Sequence, residues 1–274
     1  MNASVETSPA DFHVGSKLNG RVAFVTGGTR GIGAAICRSM ASQGAAVAAG
    51  YSRNRDNAER FRQDLDQLGV RATIHQGNVG SAEDCRRTVT EVIEQHGRLD
   101  ILVNNAGITA DKTVLTMSEE DWNTVLAVNL SGAFFCSQAA LAHMLERGAG
   151  RIVNISSLAG QSGNIGQANY AASKSGMFGL TRTMALEAAL ALHRAGQTGD
   201  DAIGLTVNCV APGYTTTDMV AAVPEKVLER VRSSIPVRRL GRPEEIARVV
   251  HFLCADASSY ITGQVWSVNG GLEM

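Results

Sequence analysis

The chain has 274 residues, of which 44% are apolar, and a formal net charge of −1. That length suits one large α/β domain or two small ones, and the apolar share is enough for a sizeable core. A charge so near zero offers no basic face, so nucleic acid is not an expected partner.

Residues 1–18, MNASVETSPADFHVGSKL, hold no apolar run of signal-peptide length and read as a flexible leader before a domain at 19–274. RVAFVTG (21–27) reads as a buried strand ending at glycine. GIGAAICRSMASQG (31–44) has helical spacing, with Ile32, Ala35, Ile36 and Met40 on one side. AAVAAGYS (45–52) is a second strand, 57–69 an amphipathic helix stopped by Gly69, and RATIHQGNV (71–79) a third strand. A helix over 82–97 follows, with Val89, Val92 and Ile93 as its buried side, then a fourth strand, LDILVNNAG (99–107). Residues 119–148 read as one long helix, GRIVNISS (150–157) as the fifth strand and 168–194 as another long helix. The sixth strand is 203–213, a late helix spans 243–256, and a seventh strand spans 263–271. Strands apolar on both faces and separated by helices predict a doubly wound (Rossmann) α/β fold, a seven-stranded parallel sheet covered on both faces. No internal repeat or proline-rich linker divides it, which favours one domain.

The five cysteines (Cys37, Cys85, Cys136, Cys209, Cys254) form no CxxC pair and match no zinc framework. They read as small buried residues of a protein kept in a reducing, cytoplasmic compartment. The six histidines do not cluster in the sequence; His193 and His251 are expected at helix surfaces, and no metal site is expected. No run of about 18 apolar residues predicts a membrane span.

The first strand runs into VTGGTRGIG (25–33), with the spacing Gly27-x-x-x-Gly31-x-Gly33. Glycines there permit a tight turn and close approach of backbone to a pyrophosphate, and the free N–H groups of the helix start favour the anion. NAD-binding sheets place a carboxylate at the end of the second strand. Here that strand ends Gly50-Tyr51-Ser52-Arg53, and Arg30 sits in the glycine loop. Two guanidiniums suit a 2′-phosphate, so NADP(H) is the expected cofactor.

Tyr170 and Lys174 stand four apart in NYAASKSG, on one face of the helix over 168–194, with only small residues between them. A free tyrosine has a pKa near 10, and a neighbouring cation lowers it. A drop of about 3 pH units requires roughly 4 kcal/mol of differential interaction. Ser157 ends the fifth strand, at the carboxyl edge where such sheets place ligands, and its hydroxyl suits a carbonyl oxygen. Together these groups predict proton transfer beside a bound nicotinamide.

TGGTRGIG, the NNAG at 104–107, the serine, the YxxxK and the PG at 212–213 occur in an order that resembles the short-chain dehydrogenases/reductases over residues 18–274. The resemblance implies Tyr170 as general acid, Lys174 binding the nicotinamide ribose and lowering the tyrosine pKa, Ser157 orienting the carbonyl, and Asn129 holding a proton-relay water. It implies a cofactor cradle of Gly27, Thr29, Arg30, Gly31, Ile32 and Gly33, with Ser52 and Arg53 near the second strand. Asn78 and Val79 would flank the adenine. Asn105, Ala106 and Gly107 would line the adenine-ribose side. Pro212, Gly213, Thr215 and Thr217 would meet the nicotinamide.

Within that family NNAGITAD, GQANYAASKSG, PGYTTTDM and PVRRLGRPEEIA are similar to 3-oxoacyl-ACP and acetoacetyl-CoA reductases. The resemblance implies reduction of an acyl thioester of CoA or acyl carrier protein, with Asp111 and Gln167 lining the acyl pocket. It also implies a homotetramer packed through the helices 119–148 and 168–194, whose alanines (Ala139, Ala140, Ala142; Ala185, Ala188, Ala189) permit close approach. Residues 190–208 carry an insertion relative to the family. The apolar pattern of 214–238 (Met219, Val220, Val223, Val227, Val231) fits a lid over an acyl chain or a core-packing helix. Other readings remain open: a reductase of a steroid, sugar or xenobiotic ketone, or a non-catalytic NADP-binding oligomeric module.

Overall fold

The structure, a computed structural model, describes residues 17–199, 202–217 and 225–274. Its strands are β1 (Val22–Val25), β2 (Ala46–Tyr51), β3 (Ala72–Gln76), β4 (Ile101–Asn104), β5 (Ala149–Ile155), β6 (Gly204–Pro212) and β7 (Val265–Val268). They form one parallel sheet in the order β3-β2-β1-β4-β5-β6-β7. β1 pairs with β2 on one side and β4 on the other, so the winding reverses there and a crevice opens at the carboxyl ends of these strands.

The helices are α1 (Gly31–Ala41), α2 (Arg55–Gln67), α3 (Ala82–His96), α4 (Glu119–Leu126), α5 (Gly132–Glu146), α6 (Ala159–Ser162) and α7 (Ala168–Arg194), followed by Glu225–Ser234 and Pro243–Cys254. One sheet face buries Val25, Val103, Val153 and Val210 under α1, α2 and the helix Pro243–Cys254. The other buries Phe24, Leu102, Ile152 and Val207 under α3, α5 and α7. The doubly wound, seven-stranded sheet expected from the sequence is therefore present.

Local signals set the helix ends. Ser81 accepts the Asp84 N–H at the start of α3, and Gly97 closes that helix in the left-handed region at φ 75°. Ser118 and Asp121 form a reciprocal capping box at α4. The single helix expected over 119–148 is instead two helices joined by a π-turn at Ala127–Ser131. A side chain at Gly132 would collide with the Val79 carbonyl, so the bulge brings backbone against backbone where α5 begins.

By length and composition Glu119–Glu146 is apolar enough to cross a membrane, with an 18-residue window of mean hydropathy 1.5. In the fold it lies against the sheet, and Asn129 and Ser137 are buried among its contacts.

Several sequence expectations change. Leu18, placed in the leader, is buried, and its N–H donates to the Gln43 carbonyl (2.9 Å). Ala140, Ala185 and Ala188 pack inside the protomer and are not free for a second copy, whereas Ala142 and Ala189 are exposed. His251 is half-buried and bonds Ser39 of α1 through Nδ1 (3.0 Å); His193 is exposed. His75 and His96 do meet, on either side of the Thr73 hydroxyl. No group of three or more potential metal ligands forms among the described residues. All five cysteines are free and buried. Of the expected lid, Met219, Val220 and Val223 lie outside the described residues; Val227 is exposed on the helix Glu225–Ser234, which buries Leu228. Within the insertion, 200 and 201 also lie outside them.

Candidate active site

The glycine loop after β1, the NNAG after β4, Ser157 after β5 and Pro212-Gly213 at the end of β6 all lie at the carboxyl edge of the sheet. Parallel pairing makes this unavoidable, because every strand leaves the sheet on the same side.

Gly27 and Gly31 adopt φ of 61° and 53°, which L side chains rarely reach. A Cβ on Gly33 would overlap the Gly27 carbonyl and lie 2.6 Å from Asn105 Nδ2. Arg30 occupies the N-cap of α1 without a side-chain hydrogen bond, and the first turn has no acidic residue. The leading N–H groups of α1 thus face the crevice uncapped, as a pyrophosphate requires. Thr217 approaches Gly31 from the far side, its Cγ2 lying 3.6 Å from where a Cβ would stand. Thr29 and Ile32 lie partly exposed within the same turn.

The NNAG loop is sewn to the glycine loop. Thr26 Oγ1 accepts the Asn105 and Ala106 N–H groups (3.0 Å each), and Asn105 Nδ2 donates to the Thr26 and Gly27 carbonyls (3.0 and 3.1 Å). The Asn105 amide therefore braces the glycine turn, whereas the expectation set it against the ribose. Ala106, Val79 and Ser52 line a small cavity with Gly27, Gly50 and His75. Asn78 Oδ1 accepts the Gly80 N–H (3.0 Å) and holds that loop. Arg53 is exposed just past β2, and Arg30 is exposed at the start of α1, which follows the adjacent strand β1. These features fit an adenine dinucleotide.

Tyr170 and Lys174 project from the first turns of α7. Lys174 Nζ lies 5.7 Å from the Tyr170 ring centroid and donates to the Ile155 carbonyl (2.8 Å). Burial pulls the lysine down to about 8. Burial also raises the Tyr170 pKa; the nearby Ser157 hydroxyl works against this, and the Asp111 charge adds to it. In the chain by itself the Lys174 ammonium is bonded to the Ile155 carbonyl, and burial dominates the phenol. Tyr170 is accordingly held protonated at neutral pH, as a proton donor must be. Ser157 Oγ accepts the Ala159 N–H (3.2 Å), which leaves its own proton for a second acceptor.

Asn129 is fully buried at the π-turn. Its Oδ1 accepts the Ile108 N–H (2.8 Å), and Nδ2 donates to the Ile108 carbonyl (3.0 Å) and Ser173 Oγ (3.1 Å). Gly107 passes close by: a Cβ there would lie 3.4 Å from both Asn129 Oδ1 and Lys174 Nζ. Gln167 Nε2 donates to the Asp111 carboxylate (3.0 Å), and Lys112 N–H to the Gly166 carbonyl (2.8 Å), so two loops are zipped together at the site mouth. Thr215 Oγ1 donates to the Gly213 carbonyl (3.1 Å), and Gly213 packs against Asn269 too tightly for a side chain.

Sequence reasoning missed three supports. Ser156 Oγ donates to the Lys174 carbonyl (2.7 Å). Asn169 Nδ2 ties α7 to the Ala110 and Asp121 carbonyls (3.1 and 2.9 Å). Asn154 bonds Thr181 across the sheet–helix interface. For Asn154, a polar residue inside the apolar run IVNI, that placement was the available signal.

The family described as enoyl-(acyl carrier protein) reductase matches residues 27–273. The chain belongs to the short-chain dehydrogenase/reductase family and is an oxidoreductase of that type. It is 47% identical over 252 residues to the acetoacetyl-CoA reductase of Rhizobium meliloti (strain 1021), covering 92% of this chain and 98% of the relative. It is 46% identical to the acetoacetyl-CoA reductase of Shinella zoogloeoides and 41% identical to the 3-oxoacyl-[acyl-carrier-protein] reductase FabG of Staphylococcus aureus (strain Mu50), over the same shares.

Proposed function

We propose that the chain reduces a 3-oxoacyl thioester, of CoA or acyl carrier protein, to the 3-hydroxyacyl thioester with NADPH. One observation carries this reading: a phenol and a serine hydroxyl lie together at the carboxyl edge of the sheet, beside a buried lysine. A phenol and a hydroxyl side by side can both donate to an oxygen on which negative charge builds. Bound NADPH supplies the hydride to the ketone carbon. Tyr170 gives its proton to the carbonyl oxygen, and Ser157 holds that oxygen by a hydrogen bond. Lys174 returns a proton toward Tyr170 or steadies its phenolate, and a titration near 8 suits that exchange. Asn129 fixes the Ile108 backbone and Ser173 behind the site.

Arg30 and Arg53, with no carboxylate at the end of β2, favour NADPH over NADH. Gln167 and Asp111 orient the thioester arm at the mouth. Val114, Leu115 and Ile165 stand exposed on the same two loops and offer the acyl chain an apolar rim. Phe134, Leu186 and Leu190, exposed on α5 and α7, support the homotetramer that the resemblance implies. The buried free cysteines accord with a cytoplasmic, reducing setting.

The test follows NADPH oxidation with acetoacetyl-CoA, longer 3-oxoacyl thioesters and simple ketones. Tyr170→Phe should lose at least about a hundredfold in kcat, with NADPH affinity nearly unchanged. Turnover surviving that change would remove the phenol from the chemistry. A preference for simple ketones over every thioester would move the substrate elsewhere.

A further inference from the structure

We infer that a buried polar ladder, Ser137–Asn104–Asn154–Thr181, sets the position of α7 along its own axis and thereby places Tyr170 and Lys174. Asn154 and Thr181 are positioning residues for the reaction, an inference that rests on the reading of Tyr170 as proton donor.

Asn104 and Asn154 are lateral partners in the β4–β5 register and lie on the same sheet face. Asn104 Nδ2 donates to Ser137 Oγ of α5 and to Asn154 Oδ1 (2.8 Å each). Asn154 Nδ2 donates to Thr181 Oγ1 of α7 (2.9 Å). All four residues are buried. Thr181 follows Lys174 by seven residues and Tyr170 by eleven, about two and three helical turns, so all three share one face.

Beyond its first turns, the apolar packing of α7 specifies its position poorly. Its buried apolar residues are Met177, Met184, Ala185, Ala188 and Leu192, a set of small or flexible side chains. Such surfaces tolerate repacking, because apolar contact is non-directional and methionine fills irregular gaps. A slip of one turn, about 5.4 Å, would keep apolar against apolar. It would also strand the Asn154 amide and the Thr181 hydroxyl without partners, in a site water does not reach. Buried polar groups left unpaired are costly, so the ladder penalises such a slip. The bonds nearer the site, Ser156 Oγ to the Lys174 carbonyl, Lys174 Nζ to the Ile155 carbonyl, Asn129 Nδ2 to Ser173 Oγ and Asn169 Nδ2 to the Ala110 and Asp121 carbonyls, hold only the first turns of α7. The ladder holds the helix two turns further on, so α7 is pinned at two separated points and cannot pivot about one.

Thr181→Val removes the hydroxyl while keeping the branched shape, and Thr181→Ser keeps the hydroxyl while losing a methyl. Activity with acetoacetyl-CoA and NADPH is measured alongside NADPH affinity, the pH profile of kcat and the melting temperature. Thr181→Val should lower kcat by about tenfold to a hundredfold, leave NADPH affinity within about twofold, and move the alkaline limb of the kcat profile as phenol and ammonium separate. Thr181→Ser should keep kcat within about threefold of wild type despite its lost packing. If kcat instead tracks melting temperature across both variants, with an unchanged pH profile, the ladder is ordinary core and the inference is overturned. If Thr181→Val does not fold, Thr181→Ala against Thr181→Ser gives the same comparison. Crystal structures of wild type and the valine variant separate this question from the substrate: an unmoved Tyr170 hydroxyl relative to Ser157 refutes the ladder even if no thioester proves to be the substrate. Wild type that turns over no thioester refutes the activity while leaving the positional comparison intact.

Discussion

Lys174→Met should make the protein more stable at neutral pH while abolishing turnover. The lysine is buried, and its pKa falls from the ordinary 10.5 to about 8. That gap, at about 1.36 kcal/mol for each pH unit, makes the charged ammonium unfavourable in the fold by about 3 kcal/mol. Methionine has a similar unbranched shape and no charge. Losing the bond to the Ile155 carbonyl, which is then left unpaired, returns about 1 to 2 kcal/mol of that gain. The expected net stabilisation is about 1 to 2 kcal/mol, or about 2 to 6 °C in Tm. The pH dependence has a definite sign. Below pH 8 both folded and unfolded wild type carry the charge, so the full penalty is present. Between about 8 and 10.5 the folded state releases its proton first, and the penalty fades as pH rises; above that range it is gone. Urea unfolding of wild type and Lys174→Met between pH 7 and pH 10 reads this directly. A variant less stable than wild type at pH 7, or an advantage that does not shrink toward pH 10, would refute the burial argument.

Gly33→Ala drives a methyl into the Gly27 carbonyl and against Asn105 Nδ2, so the glycine turn must open. NADPH affinity, followed by the change in nicotinamide fluorescence, should weaken by about tenfold or more; near-normal binding would mean the turn does not cradle the cofactor. Arg238 is the one non-glycine residue with positive φ among the described residues, at 58°. Arg238→Gly should unfold in urea within about 0.5 kcal/mol of wild type or above it, whereas Arg238→Val should lose about 1 kcal/mol or more. Equal stability of the two variants would show that the backbone is not held in that conformation.

Much of the architecture follows from local signals. Apolar runs such as ILVN and VAFV, each closed by polar or glycine residues, mark strands buried on both faces whatever lies beside them. The Tyr170–Lys174 pairing follows from helical spacing alone, and the glycine turn follows from conformations only glycine tolerates. Because all strands are parallel, these motifs were bound to collect at one edge. The sequence by itself therefore determined the sheet and its winding, and put its candidate site motifs at one edge.

Which atom meets which was decided only by the tertiary structure. The π-turn at Ala127–Ser131 sits where Gly132 packs backbone to backbone against Val79, a residue about fifty positions earlier in the chain. Asn105 spends its amide on the glycine loop, Lys174 turns to Ile155, and three of the alanines expected at a subunit interface vanish into the protomer's own core. Each outcome depends on the lateral register of strands and the axial seating of helices. Those are properties of the packed whole, where one buried polar group must find another, and no local pattern of side chains encodes them.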